Sequence, residues 1–168
     1  MILSQKAAQG GTTLLETSIA ACTAAMFLGT LFTMNMTAMK AVRTAREAAS
    51  ASQVLQQRVE AMRIANWHQI TNPDWVSGNL MNTSAAGTDG LKQVSETLTL
   101  VPYGSTSTGN TKIVRSGGST QVENRNTNLL TENALKVIWT VTYSGGINAQ
   151  PTTRQTVAIL AKGGVAKW

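Results

Sequence analysis

The sequence predicts an α+β protein in which one long N-terminal helix packs on a small antiparallel sheet of about four strands. Three observations predict it. No charged residue occurs between positions 17 and 39. Apolar positions then recur every three or four residues as far as Met62, which is the period of a helix with one buried face. The last third of the chain alternates apolar and polar residues, which is the period of a half-buried strand.

At 168 residues the chain suits one globular unit with an extension. Only 13% of residues are charged and 5% aromatic, so much of the apolar content is expected outside a compact core. The net charge of +6 is spread along the whole chain and implies a modest positive surface potential. Cys22 is the single cysteine, which excludes an intrachain disulfide. It sits in an apolar setting where a thiol is inert.

Residues 1–11 are short and polar, carry Lys6 and end in Gly10-Gly11. The uncharged run that follows is 23 residues long, enough to cross a bilayer and too long for the core of an ordinary signal peptide. Glu16 stands just ahead of it and is the first acid of the sequence; the next is Glu47. A carboxylate costs about 2.5–3.5 kcal/mol at a bilayer centre and less near its edge, so Glu16 needs a partner. A chain cut after Gly11 would place a new ammonium on Thr12, four residues away. Thr13-Leu14-Leu15-Glu16 also fits a helix capping box, which would explain the glutamate locally.

Gly11 followed by Thr12-Thr13-Leu14-Leu15-Glu16, then a long apolar helix, resembles the cleavage and methylation motif of type IV prepilins and type II secretion pseudopilins. The resemblance implies that a prepilin peptidase cuts between Gly11 and Thr12 and methylates the Thr12 amine. It makes Glu16 the fifth residue of the cut chain, which selects Gly11 over Gly10. Thr12 stands where the family usually has Phe. A proline carried by many main pilins would fall on Thr33 and is absent, which points to a minor pilin or pseudopilin. By the same resemblance Glu16 pairs with a neighbouring subunit's amine, and Leu14, Leu15, Ile19 and Phe27 supply the apolar assembly contacts. The implied partners are other subunits, an inner-membrane platform protein and an assembly ATPase. The implied location is the bacterial inner membrane, crossed once, and then a periplasmic or cell-surface filament.

The expected organisation is a leader at 1–11, a membrane and filament-core helix at 12–39, an amphipathic continuation at 40–71, and a loop with a sheet-bearing head at 72–168. With the resemblance, this is the ladle layout of pilins. Thr17, Ser18, Thr23, Thr30, Thr33, Asn35 and Thr37 punctuate the core helix, and Ala20, Ala21, Ala24, Ala25 and Gly29 give it small surfaces suited to close helix contacts. Lys40, Arg43 and Arg46 follow the run, and counting positive charges alone would orient the helix the other way.

Val42, Ala45, Ala49, Ser52, Leu55, Val59 and Met62 form the expected apolar stripe, with Pro73 as the stop of a helix reaching about Trp67. Residues 72–90 read as a connecting loop because Asn72-Pro73-Asp74, Ser77-Gly78-Asn79 and Gly87-Thr88-Asp89-Gly90 are turn sequences. Strand signals follow at Val94, Leu98 and Leu100, on both sides of Ser116-Gly117-Gly118-Ser119, at Leu135, Val137, Trp139, Val141 and Tyr143, and at Val157, Ile159 and Ala161. Gly145-Gly146 opens the turn between the last two.

Catalytic chemistry is not expected. His68 is the only histidine and reads as a solvated residue at a helix end. No phosphate loop or zinc spacing occurs. Some pseudopilins hold calcium in a C-terminal loop, but Asp74, Asp89, Glu96, Glu123 and Glu132 are scattered, so neither a metal nor a cofactor is predicted. Trp67, Trp75 and Trp139 read as packing residues, and Trp168 has no evident partner in the sequence. A cut after Gly11 leaves 13 basic against 8 acidic side chains, so nucleic acid remains an alternative partner for the head. A single-pass anchored protein that is never cut is the other alternative.

Overall fold

A computed structural model describes residues 7–104, 109–145 and 150–163, with side chains from residue 13 onward. Lys6, Gly146, Lys167 and Trp168 lie outside the described residues. The chain forms α1 (Ala7–Ile64), α2 (Trp67–Ile70), α3 (Pro73–Trp75) and five strands, β1 (Lys92–Pro102), β2 (Thr111–Ser116), β3 (Ser119–Asn124), β4 (Ala134–Gly145) and β5 (Gln150–Ala161). It divides into two units, Met1–Val42 and Arg43–Trp168.

The first unit consists, where described, of helix. Every residue from 13 to 42 is exposed, including Leu14, Leu15, Ile19, Phe27, Phe32 and Met34. Cys22 is exposed as well.

The second unit contains the whole hydrophobic core. All five strands pair antiparallel in the order β3-β2-β1-β4-β5, one strand more than the sequence suggested. The chain hairpins from β2 to β3 through Gly117-Gly118, both at positive φ as a two-residue turn requires. It then passes β2 and β1 to add β4, and β5 pairs back on β4.

Leu98, Leu100, Ile113, Leu135, Val137, Trp139, Val141 and Tyr143 share one sheet face because strand side chains alternate. Ala51, Val54, Leu55 and Met62 of α1 pack in the same core. Each fully buried aliphatic side chain contributes about 1.5–3 kcal/mol.

Five expectations shift. α1 ends at Ile64, and Asn66 opens α2 by donating its backbone N–H to the Gln69 Oε1 at 2.8 Å, so the long helix stops short of Trp67. Pro73 begins α3 instead of stopping α1, with the Asn72 Oδ1 accepting the backbone N–H of Asp74 and Trp75.

The stripe on α1 is also rotated. Val42, Ala45, Ala49 and Ser52 are exposed, whereas Glu47, Ala51, Val54, Leu55, Arg58 and Met62 are buried. Two charged residues stand on the inward line: Arg58 meets Glu96 of β1 beneath it, and Glu47 pairs with Arg43 one turn earlier on the same helix.

Residues 72–90 are not a bare loop. They form α3, a π turn (Val76–Leu80) and a 3₁₀ turn (Thr88–Gly90), and they bury Val76, Leu80, Met81 and Ala85 in the core. Gly87 sits at φ +96°, and a Cβ there would stand 2.9 Å from the Ser50 backbone carbonyl, so the segment lies hard against α1.

On β5 the alternation has the opposite phase from that expected. Val157 and Ile159 lie on the outer face and are half-exposed, while Leu160 packs toward the core.

Candidate functional site

The assembly residues predicted from sequence lie on the first unit's helix. At 3.6 residues per turn, Leu15 and Ile19 share one side, Glu16 and Phe27 share another, and Leu14 points to a third. The helix is therefore apolar all round, and its described side chains from 13 to 42 are exposed. Leu14 is 72% exposed and Phe27 63%. A helix with that pattern is stable where lipid or other helices surround it. It is long and apolar enough to cross a membrane.

The hydroxyl groups on this segment are satisfied within it. Thr17 donates to the carbonyls of Thr13 and Leu14, Ser18 to Leu14, Thr23 to Ile19, Thr30 to Phe27, Thr33 to Thr30 and Thr37 to Thr33, all between 2.7 and 3.0 Å. Such back-bonding hides polar hydrogens from a hydrocarbon environment. In the single chain these hydroxyls bond their own helix.

Glu16 is exposed, with no ion pair or hydrogen bond among the described residues. Thr13 and Glu16 lie well inside α1, which begins at Ala7, so the capping-box explanation of Glu16 does not hold in the uncut chain. Gly11 and Thr12 belong to the same helix, and their side chains fall outside the described residues.

The second unit holds a charged site that the sequence reading passed over. Glu96 of β1 is fully buried. The Arg58 Nε donates to its Oε2 at 2.8 Å and the Arg58 Nη2 to its Oε1 at 3.1 Å, while the Arg115 Nη1 reaches Oε1 at 3.2 Å. Glu96 and Arg115 are direct cross-strand partners on β1 and β2. Arg58 also donates to the carbonyls of Leu80 and Thr83, and its guanidinium lies 5.9 Å from the Trp139 ring centroid. It thus pins the buried connecting segment, whose carbonyls have no strand partner, to the helix.

Of the acids expected to be scattered, Glu96 is built into this core. Asp74 pairs with Arg125, and Glu123 pairs with Lys112. A signal was present: Glu96 and Arg115 occupy the inward phases set by Leu98 and Ile113, and Arg58 lies midway between Val54 and Met62. Charges of both signs on inward phases imply a buried pairing.

His68 is exposed on α2. Trp67 is buried, with its indole N–H donating to the Leu130 carbonyl at 3.3 Å, and Trp139 is fully buried, so both are packing residues as expected. Trp75 packs partly buried against the core. No family model, no curated protein and no solved structure matches the chain.

Proposed function

We propose that this chain is a structural subunit of a pilin-like filament, a minor pilin or pseudopilin, and not an enzyme. A prepilin peptidase cuts between Gly11 and Thr12 and methylates the Thr12 amine. The helix then holds the chain in the bacterial inner membrane with the head outside the cytoplasm. A platform protein and an assembly ATPase draw it into a filament in the periplasm or at the cell surface.

One observation supports this reading above the others. A lone carboxylate, Glu16, without a partner among the described residues, follows a Gly-Thr junction on a helix that is apolar all round and exposed from residue 13 to 42. A plain anchor gains nothing from a carboxylate at that depth, whereas a subunit that meets a neighbour's freed amine neutralises both charges. Leu14, Leu15, Ile19 and Phe27 would then trade lipid for the helices of neighbouring subunits.

Mass spectrometry of the membrane-extracted protein from its native host tests the reading, paired with the Glu16→Ala variant. The expected results are an amino-terminus at Thr12 in both proteins and loss of filament incorporation in the variant alone. Retention of residues 1–11 would overturn the proposal in favour of an uncut anchor. Normal filaments from Glu16→Ala would remove the charge pairing.

A further inference from the structure

We propose that the cavity beside Arg115, between the β2–β3 hairpin and the start of β1, binds a phosphate-type oxyanion. The inference does not rest on the filament reading, which leaves this part of the head unused.

The first argument is charge. Glu96 faces two guanidinium groups, and Arg58 alone already engages both of its oxygens. Arg115 shares one of them at the longer distance of 3.2 Å, so the buried cluster of one carboxylate and two arginines carries a surplus positive charge. Arg115 is 8% exposed, and its guanidinium engages only one shared carboxylate oxygen and the Ser84 hydroxyl. A buried guanidinium in a cluster with surplus positive charge favours an anion, because burial without compensation is costly.

The second argument is the cavity, whose volume is about 440 Å³. Arg115, Ser84, Thr88, Gln93, Ser116 and Gly118 line it, and no carboxylate does. The Arg115 Nη2 donates to the Ser84 Oγ at 2.9 Å, which leaves the Ser84 hydroxyl hydrogen free to donate onward. Guanidinium, hydroxyl and amide donors around one space suit an acceptor with several oxygens. A tetrahedral oxyanion has more of them than a carboxylate.

The third argument is the backbone. Gln93 has φ +49° and is the one non-glycine residue at positive φ among the described residues. It lies where the pairing of β1 with β4 slips between Lys92 and Ser95. A bulge and a left-handed glutamine cost stability, and both occur beside this cavity. Gly117 and Gly118 also line it, without side chains.

The full chain in detergent micelles, labelled with ¹⁵N, is titrated with inorganic phosphate, dimethyl phosphate, acetate and chloride at matched ionic strength. Saturable shifts are expected at the Ser84, Gly117 and Gly118 amides with phosphate. Dimethyl phosphate binding as well as phosphate would identify a phosphodiester such as a lipid headgroup as the source. Binding of phosphate alone would identify a free or terminal phosphate. Arg115→Lys should weaken binding roughly tenfold or more, because it keeps the charge and loses the fork. Ser84→Ala alters an exposed side chain and should weaken binding while leaving the fold intact. Absence of a phosphate-specific shift, acetate binding as tightly as phosphate, or an unchanged affinity in a folded Ser84→Ala protein would each overturn the assignment.

Discussion

Glu96 has no access to water, and its carboxylate accepts three guanidinium N–H groups, two from Arg58 and one from Arg115. Removing its charge leaves two buried cations facing each other, and breaking a buried pairing of this kind costs about 3–5 kcal/mol. Glu96→Gln should lower stability by that amount in urea unfolding followed by tryptophan fluorescence. Glu60→Gln is the control, because Glu60 and Arg63 form an exposed pair 2.9 Å apart. Its effect should stay within about 0.5 kcal/mol. A Glu96→Gln protein as stable as the control would show that the network contributes nothing. Glu16 is the contrasting residue: it is exposed and has no partner among the described residues.

The elements that cover the core are tied by pairs of unequal depth. The segment before β1 is held from below by Arg58 and by the Thr120 hydroxyl, which donates to the Met81 carbonyl at 2.9 Å. At its start, Arg125 grips Asp74 across the surface, with Nη1 donating to Oδ2 at 2.8 Å. The hydrogen bonds and the charge of that guanidinium hold the Asp74 carboxyl below its ordinary pKa of 3.8, and they raise Arg125 in turn. A lowered folded-state pKa means that the pair stabilises the fold at neutral pH and loses that effect as pH falls through the lowered value. Both groups are exposed, so the effect is small. The melting temperature of wild type should therefore exceed that of Asp74→Asn at neutral pH, and the gap should close below the ordinary aspartate range. A gap independent of pH would assign the difference to something other than ionisation.

For the whole molecule, the two units differ in what stabilises them. Every core residue, from Ala51 onward, belongs to the unit Arg43–Trp168, and the other unit buries none of its described side chains. A chain comprising residues 43–168 should therefore be soluble and should unfold in one cooperative transition, with strand-like amide dispersion in its NMR spectrum. The full chain should need detergent. A fragment that aggregates or lacks dispersed amides would mean that the apolar helix is required for the head to fold.

Much of this was legible in the sequence because it depends on local periodicity. An uncharged run of 23 residues implies an uncovered apolar helix, and alternation from Leu135 to Tyr143 implies a strand with a buried face. The Gly117-Gly118 hairpin followed from two residues suited to positive φ. The position of Glu16 ahead of the run is also a property of sequence alone. What needed the tertiary structure was phase and pairing. The buried side of α1 runs through Glu47 and Arg58 instead of Ala45 and Ala49, and Val157 and Ile159 face outward. Those outcomes turn on which partners lie opposite, and Arg58 and Glu96 are 38 positions apart in the chain. Local pattern gives the period of an element, while its rotation is decided where distant charges and side chains must be satisfied together in one core.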